Sequence, residues 1–134
     1  MTDEEFLVPN DDAVSADDIH RGTDLSGADL SKALLVEADL AHADLTGAVL
    51  SGAALRGADL TGADLSDATL NAAVLRDATL RDADLSNASL TRAKLIGADL
   101  TDADLTGARC AAADVTDADL AGANVSDAIL LHVQ

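Results

Sequence analysis

Aspartate recurs at every twentieth position in two series along this 134-residue chain, and these carboxylates are the groups best placed to do chemistry. If each series stacks at the spacing of neighbouring β-strands, about 4.8 Å, adjacent carboxylates repel by roughly 1 kcal/mol even in water. We therefore expect compensation from backbone N–H groups, bound cations, high salt or a basic partner. The first acidic series is Asp24, Asp44, Asp64, Asp84 and Asp104, followed by Asn124. The second acidic series is Asp39, Asp59, Asp99 and Asp119, interrupted by Thr79.

No other group of residues predicts a reaction. His20, His42 and His132 share no ligand spacing, and the chain has no phosphate-binding loop, zinc motif or catalytic-triad pattern. The single cysteine, Cys110, excludes an intrachain disulfide, and we expect it to pack as a small apolar residue. The sequence therefore predicts no enzymatic activity, no cofactor and no metal site.

Charge restricts the partners. With 25 acidic and 8 basic residues the chain carries a net charge of -17, so it should repel nucleic acid and anionic membranes. One Phe and no Trp or Tyr leave no aromatic platform for stacking bases. The start, "MTDEEFLVP", lacks the apolar stretch of a signal peptide, and no apolar run is long enough to span a membrane. We expect a cytoplasmic protein.

A five-residue repeat must position the acidic series. From Leu25 to Leu130, every position at a multiple of five is Leu except Cys110, Val115 and Val125, and all but the first are preceded two residues earlier by Ala. A period of five gives no stripe on a helix and alternates faces on a strand. The spacing of two within A-x-L instead places Ala and Leu on one side of a very short extended piece. A corner after each piece would coil the chain into a solenoid with both residues pointing inward.

The twenty-residue step of the acidic series predicts four pentapeptides in each coil. After the first series the corners carry Gly, Asn or Asp, which favour type II-like turns with a positive φ. After Asp29 and its equivalents the corners carry residues such as Lys32, Ala72 and Arg92. We therefore expect a different turn there.

Tandem A-[D/N]-L-x-x resembles the pentapeptide-repeat family over roughly residues 23–131, although the inward Phe of many members is absent. The resemblance implies an all-β fold, a right-handed quadrilateral β-helix of about 5.5 coils. Residues 1–22 form an acidic segment that is either a short helical cap starting near Pro9 or a disordered tail. Residues 132–134 form a C-terminal tail.

Two functions remain open at this point. One is a non-enzymatic structural or protein-interaction solenoid whose aspartates keep it solvated, including in a salt-rich cell. The alternative comes from the resemblance: some members mimic DNA, bind DNA gyrase or topoisomerase IV and protect these enzymes from fluoroquinolones. In that case the two acidic series would be the binding site. The chain has no loop insertion of the kind that some gyrase-protecting members carry.

Two further surfaces are candidate interfaces. The Leu35 side combines apolar and basic residues and is either a protein interface or unconstrained surface drift. It comprises Leu34, Val36, Ala54, Arg56, Val74, Arg76, Lys94 and Ile96. The sequence ends on "AILLHVQ" without a polar cap, so we also expect a homodimer through the C-terminal coils. Its contact residues would be Ile129, Leu130, Leu131 and Val133.

Overall fold

The computed structural model describes residues 6–134, which form a β-helix built from single-residue bridges. From Asp24 to Ile129, every fifth residue pairs in parallel with the residue twenty positions along the chain. Within the described residues the bridges do not extend into longer strands, and the one helix is the 3-10 helix Ala16–Asp18. The bridges agree with the twenty-residue step of the acidic series. Residues 1–5 of the N-terminal segment lie outside the described residues.

Backbone hydrogen bonds fix the register between successive coils. The N–H of Leu25 donates to the carbonyl of Asp44 (2.7 Å), and that of Gly27 donates to Thr46 (2.9 Å). In return the N–H of Asp44 donates to the carbonyl of Thr23 (2.8 Å). The same three bonds recur along the repeat, so each coil satisfies polar backbone groups of its neighbours.

Each corner is closed by a turn. The N–H of Ala28 donates to the carbonyl of Leu25 at 3.0 Å, and equivalent bonds close the other corners up to Ala128. The residue before each of these alanines has a positive φ, and positive values between 57° and 73° recur from Gly22 to His132. This combination is the pattern of a type II turn.

The expected difference between corners is wrong. Lys32 (φ 58°) and Arg92 (φ 60°) adopt the same left-handed conformation as the glycines at equivalent corners. A side chain in this conformation costs roughly 1–2 kcal/mol. Stacking in register requires the same reversal of the chain in every coil, and the coil-to-coil hydrogen bonds outweigh the local preference.

The interior is filled by Leu and Ala, as the repeat predicts. Leu30, Leu50 and Leu70 have no exposed surface, and the alanines two residues before each leucine are likewise buried through the central coils. Cys110 occupies a Leu position and is 5% exposed, as expected for a small apolar residue. The buried Leu and Ala side chains form one continuous core along the central coils.

The N-terminal segment supplies partners for the first coil. Leu7 forms an antiparallel bridge with Leu34, with N–H to carbonyl distances of 3.2 and 2.8 Å. The Asp11 carboxylate accepts the backbone N–H of Asp29 at 3.0 Å. This N–H lies in the first coil, so no preceding coil supplies a carbonyl for it. Three apolar side chains of the segment pack against the core: Phe6, Val8 and Val14.

Candidate protein-interaction surfaces

Each acidic series forms a column across the coils. Parallel bridges join Asp44 to Asp64 and Asp64 to Asp84, and similar bridges continue to both ends of the first series. The second series is bridged in the same way, with Thr79 between Asp59 and Asp99. Because the two series are one pentapeptide apart in the chain, their columns lie on adjacent sides of the solenoid.

The carboxylates of these columns complete the backbone hydrogen bonding of the repeat. Asp64 Oδ1 accepts the N–H of Ser66 at 2.9 Å and its hydroxyl at 2.6 Å. The coil-to-coil and corner bonds leave this N–H, at the first corner residue, without an acceptor. The same cap, at 2.9–3.1 Å, occurs at all 11 aspartates that precede a core residue. Backbone N–H groups are therefore among the compensating partners expected for the carboxylates.

These hydrogen bonds favour the ionised form of several of the carboxylates. The Ser66 hydroxyl and backbone N–H lower the pKa of Asp64, and those of Thr106 lower the pKa of Asp104 in the same way. In the second series, the Thr101 hydroxyl is the largest cause that lowers the pKa of Asp99. Donors that bond to the charged form favour it. The fold therefore favours the charged form of Asp64, Asp99 and Asp104.

The sequence reasoning missed the capping hydroxyls. Seven of the 11 aspartates also accept a Ser or Thr hydroxyl two residues later, at 2.5–2.7 Å. The signal was present in the tripeptide Asp-[Leu/Val]-[Ser/Thr], because a carboxylate often bonds to backbone two residues on. Reading that tripeptide would have assigned the aspartates a structural role.

Charge is divided between two halves of the coil. The sides with the two acidic series, with their following corners, hold 13 carboxylates but only Arg21 and Arg81 as cations. The other two bridged columns and their corners hold five carboxylates and six cations. Among the described residues, Arg81 is the only Lys or Arg in an ion pair, with Asp99 at 3.2 Å. The six cations outside the two acidic columns and their corners are Lys32, Arg56, Arg76, Arg92, Lys94 and Arg109.

The residues of the Leu35 side also form a continuous column. Bridges join Leu34 to Ala54, Ala54 to Val74 and Val74 to Lys94. Leu34 is 46% exposed and Val36 41%, while Val74 and Ile96 are half-buried. The structure thus brings together the apolar and basic residues that the sequence assigned to one side. Its exposed cations are Arg56, Arg76 and Lys94.

The C-terminal coil exposes part of the interior ladders. Leu120, Val125 and Leu130 face an apolar cavity of about 260 Å³ that also reaches Leu105 and Cys110. Within the described residues, the backbone N–H groups of Leu120, Val125 and Leu130 have no acceptor. The residues twenty positions earlier do donate their N–H groups to carbonyls of this coil. The residues expected at a dimer contact are exposed, apart from half-buried Val133: Ile129, Leu130, Leu131 and Val133.

The histidines do not combine into a site. His42 is at an exposed corner, with its ring against Gly62 of the next coil. Across residues 6–134, no three His, Cys, Asp or Glu side chains are grouped so that they could hold a metal ion. In the same part of the chain, no helix has the length and apolar character needed to cross a membrane.

The chain is similar in sequence and fold to known repeat proteins. The family model described as Pentapeptide repeats matches residues 23–62, 63–102 and 98–131. Among solved structures, the pentapeptide repeat protein Rfr23 from the cyanobacterium Cyanothece 51142 is 37% identical with a TM-score of 0.64. That match covers 64% of this chain and 58% of Rfr23. A search of curated proteins gave no match.

Two proteins from Nostoc are similar over more of the chain. HetL, described as involved in heterocyst differentiation regulation in strain PCC 7120, is 37% identical with a TM-score of 0.55, covering 85% of this chain. The protein alr5209 is 38% identical with a TM-score of 0.55, covering 81% of this chain and 86% of its own. This chain spans 58% of Rfr23 and 60% of HetL.

Proposed function

This chain belongs to the pentapeptide-repeat family, and from that membership we propose that it is a non-enzymatic, cytoplasmic solenoid that binds proteins through its outer sides. The observation that carries the proposal is the contrast between a filled interior and regular outer columns, two of them strongly acidic and two of mixed charge. Leu30 to Leu90 expose at most 1% of their surface, so the central coils offer no pocket for a substrate. Recognition is therefore assigned to the columns.

Members of this family fold as right-handed β-helices. We infer a quadrilateral cross-section with about 5.5 coils for this chain. The support is that four successive positions are bridged before the pairing returns to the same column, with a turn between each position and the next. Four flat sides would display each column separately, so that one side can bind a partner without disturbing the next.

The acidic sides are proposed to bind a basic protein surface. Their carboxylates use Oδ1 for the backbone cap, and ionised columns attract cationic partners over about a Debye length, 8–10 Å at moderate salt. The proposed contact residues are Asp24, Asp44, Asp64, Asp84 and Asp104 of the first series with Asp39, Asp59, Asp99 and Asp119 of the second.

A DNA-mimic function is the second candidate. Two carboxylates per coil give about one charge per 2.4 Å of solenoid axis, compared with about one per 1.7 Å for duplex DNA. Lowered pKa values at Asp64, Asp99 and Asp104 favour the charged form of these column residues. The proposed partners are DNA gyrase or topoisomerase IV, with inhibition or fluoroquinolone protection as the outcome.

A supercoiling assay with DNA gyrase, with and without a fluoroquinolone, tests the acidic sides. The matched variant replaces Asp44, Asp59, Asp64 and Asp84 with Asn, because Asn124 caps the N–H of Ser126 at 3.0 Å and so can keep the fold. Inhibition or protection that disappears in this variant supports DNA mimicry. If the wild-type protein has no effect at micromolar concentration, DNA mimicry is refuted; a basic partner of another kind would then have to be sought.

The exposed C-terminal coil is proposed to bind a second copy of the chain. Leu130 is 50% exposed and Leu131 65%. Within the described residues, backbone N–H groups of this coil have no hydrogen-bond acceptor. Light scattering should therefore report a dimer for the wild type and a monomer for Leu131→Asp, whose outward position spares the core. A wild-type protein that stays monomeric at high concentration contradicts this contact.

A further inference from the structure

A run of four successive backbone N–H groups on the Leu35 side lacks the carboxylate cap. On the adjacent side, within residues 6–134, the N–H groups of Ser51 and Asn71 are also uncapped, but the run ends at Thr91, whose N–H donates to Asn71 Oδ1 at 3.1 Å. On the Leu35 side the first corner residues are Val36, Arg56, Arg76 and Ile96, one in each of four successive coils. Among the described residues none of their N–H groups has a hydrogen-bond acceptor. A free N–H requires water or a ligand, since leaving it dry and unpaired is costly.

The cause is the residue two positions earlier in each pentapeptide. Where the first acidic series has Asp, the Leu35 side has Leu34, Ala54, Val74 and Lys94, and these side chains contain no acceptor. The column resumes capping at Asp114, whose Oδ1 accepts the N–H of Thr116 at 3.0 Å. The uncapped stretch is thus bounded and faces outward beside the exposed side chains of this side.

The surroundings of the uncapped column favour a carboxylate-bearing ligand. Arg56, Arg76 and Lys94 are exposed and form no ion pair within the described part of the chain. The neighbouring carboxylates Glu37 and Asp77 are turned over the corner glycines of the next coil. Backbone N–H groups with adjacent cations are the usual recognition chemistry for carboxylates.

Spacing selects the secondary structure of the ligand. Four coils place the N–H groups at about 0, 4.8, 9.6 and 14.4 Å along the axis. On an α-helix, carboxylates at positions i, i+3, i+7 and i+10 rise by about 0, 4.5, 10.5 and 15 Å, within about 1 Å of that ladder. On an extended strand, alternate residues advance about 6.7 Å and lose register by the second coil.

We propose that the Leu35 side binds an acidic amphipathic helix of a partner protein, laid along the solenoid axis, whose carboxylates cap these N–H groups in trans. Its acidic residues pair with Arg56, Arg76 and Lys94, and its apolar residues cover Leu34 and Val36. This inference rests on the proposed protein-binding function and names the partner chemistry for one side.

A designed peptide tests the proposal directly. The probe is a fluorescein-labelled, Ala-rich helix with Glu at i, i+3, i+7 and i+10 and Leu beside them, measured by anisotropy against the full chain. Its control replaces the four Glu with Gln. In the protein, Ala54→Asp with Val74→Asp should cap the N–H groups of Arg56 and Arg76 internally, as aspartate does elsewhere in the repeat, and so occupy the site without removing a contact from the core.

The matched protein control is Val49→Asp with Thr69→Asp, which adds the same charge in the same coils on the adjacent side. We expect the Ala54/Val74 variant, which loses two charge-assisted contacts, and the Gln peptide, which loses four, each to weaken binding at least about tenfold. The Val49/Thr69 control should change binding less than about threefold, within the effect of screened charge alone. Amide NMR signals of Arg56, Arg76 and Ile96 should shift on binding.

The proposal would be overturned if the Ala54/Val74 variant bound the Glu peptide as tightly as the wild-type protein, or if the wild-type protein did not bind it at millimolar concentration. NMR shifts confined to amides other than those of Arg56, Arg76 and Ile96 would also overturn it. Equal binding of an extended, proline-containing acidic peptide would overturn the helical partner. These results are distinguishable from failure of the acidic sides, because the gyrase assay depends on Asp44, Asp59, Asp64 and Asp84 and not on the Leu35 side.

Discussion

Replacing Asp64 by Asn and by Ala separates the two effects of a ladder carboxylate. Asp64 caps the N–H of Ser66 at 2.9 Å and is stacked between Asp44 and Asp84. Asn removes the charge but retains an oxygen that can accept the same N–H. Ala removes both the charge and the cap.

The magnitudes follow from the geometry. Loss of a cap of this kind costs about 1–2 kcal/mol, the range for side-chain caps of backbone N–H groups. Each like-charged neighbour about 4.8 Å away contributes roughly 0.9 kcal/mol of repulsion in water, and physiological salt about halves that. Removing the Asp64 charge therefore relieves about 1 kcal/mol of repulsion from its two neighbours together. Asp64→Asn should be neutral to slightly stabilising, and Asp64→Ala should be less stable than Asp64→Asn by the loss of the cap.

Urea unfolding at 10 mM and 1 M NaCl measures both effects. At high salt the stabilisation gained by removing the charge should vanish. The free energy of unfolding of both variants should then fall relative to wild type, while the difference between Asp64→Asn and Asp64→Ala persists. If Asn and Ala are equally stable at both salt concentrations, the cap contributes nothing and the assignment of a structural role to the ladder is wrong.

Three other outcomes are expected. Gly97→Ala should cost more than Gly27→Ala, because both pay for a positive φ but only the first places a Cβ against a neighbouring side chain, that of Asp77; thermal unfolding compares them, and equal losses would contradict the packing. Leu75→Ala should cost about 2–5 kcal/mol in urea unfolding, since its side chain is fully buried; a loss under about 1 kcal/mol would mean the coil collapses around the gap. In an acid titration followed by circular dichroism, stability should hold from neutral pH to about 5 and fall below about 4, because carboxyl pKa values lowered on folding, as at Asp64, stabilise only above the unfolded pKa. Constant stability down to pH 3 would contradict those shifts.

The interior was predictable because its pattern is local and repetitive. An inward Leu every fifth residue and a twenty-residue step in Asp are sufficient to specify inward ladders and the distance between paired residues. The turn at Lys32 was not predictable by the same means, since a positive φ at Lys is unfavourable locally and is imposed by stacking on Ser51 of the next coil. The pairing of Leu7 with Leu34 was also beyond the sequence, because no repeat relates the two residues.

The binding surfaces were only partly predictable. The membership of the acidic series and of the Leu35 side follows from the register alone. The sequence reasoning expected backbone N–H groups among several compensating partners of the Asp residues. It did not predict that the donor is the N–H two residues later, as at Asp64 and Ser66. The uncapped N–H groups of Arg56 and Arg76 become visible only when the hydrogen bonds of a whole coil are known.

The acidity of the repeat is itself weak evidence for DNA mimicry, because every carboxylate from residue 23 onward occupies a position with a backbone role. Eleven aspartates cap an N–H, and the remaining seven acidic residues stand at corners with a positive φ, which Asp and Asn tolerate well. Those seven are Glu37, Asp67, Asp77, Asp82, Asp102, Asp117 and Asp127.

What the fold does not explain is the choice of Asp over Asn. Asn124 caps the N–H of Ser126 and Asn87 occupies a left-handed corner, so a neutral amide satisfies both backbone roles without adding charge to the columns. Repulsion between stacked carboxylates makes the charged choice the less stable one unless the charge-assisted cap compensates. If an Asn-substituted protein is more stable at low salt yet loses its partner, the charge is maintained for binding. If it is less stable, the cap alone accounts for the acidic columns.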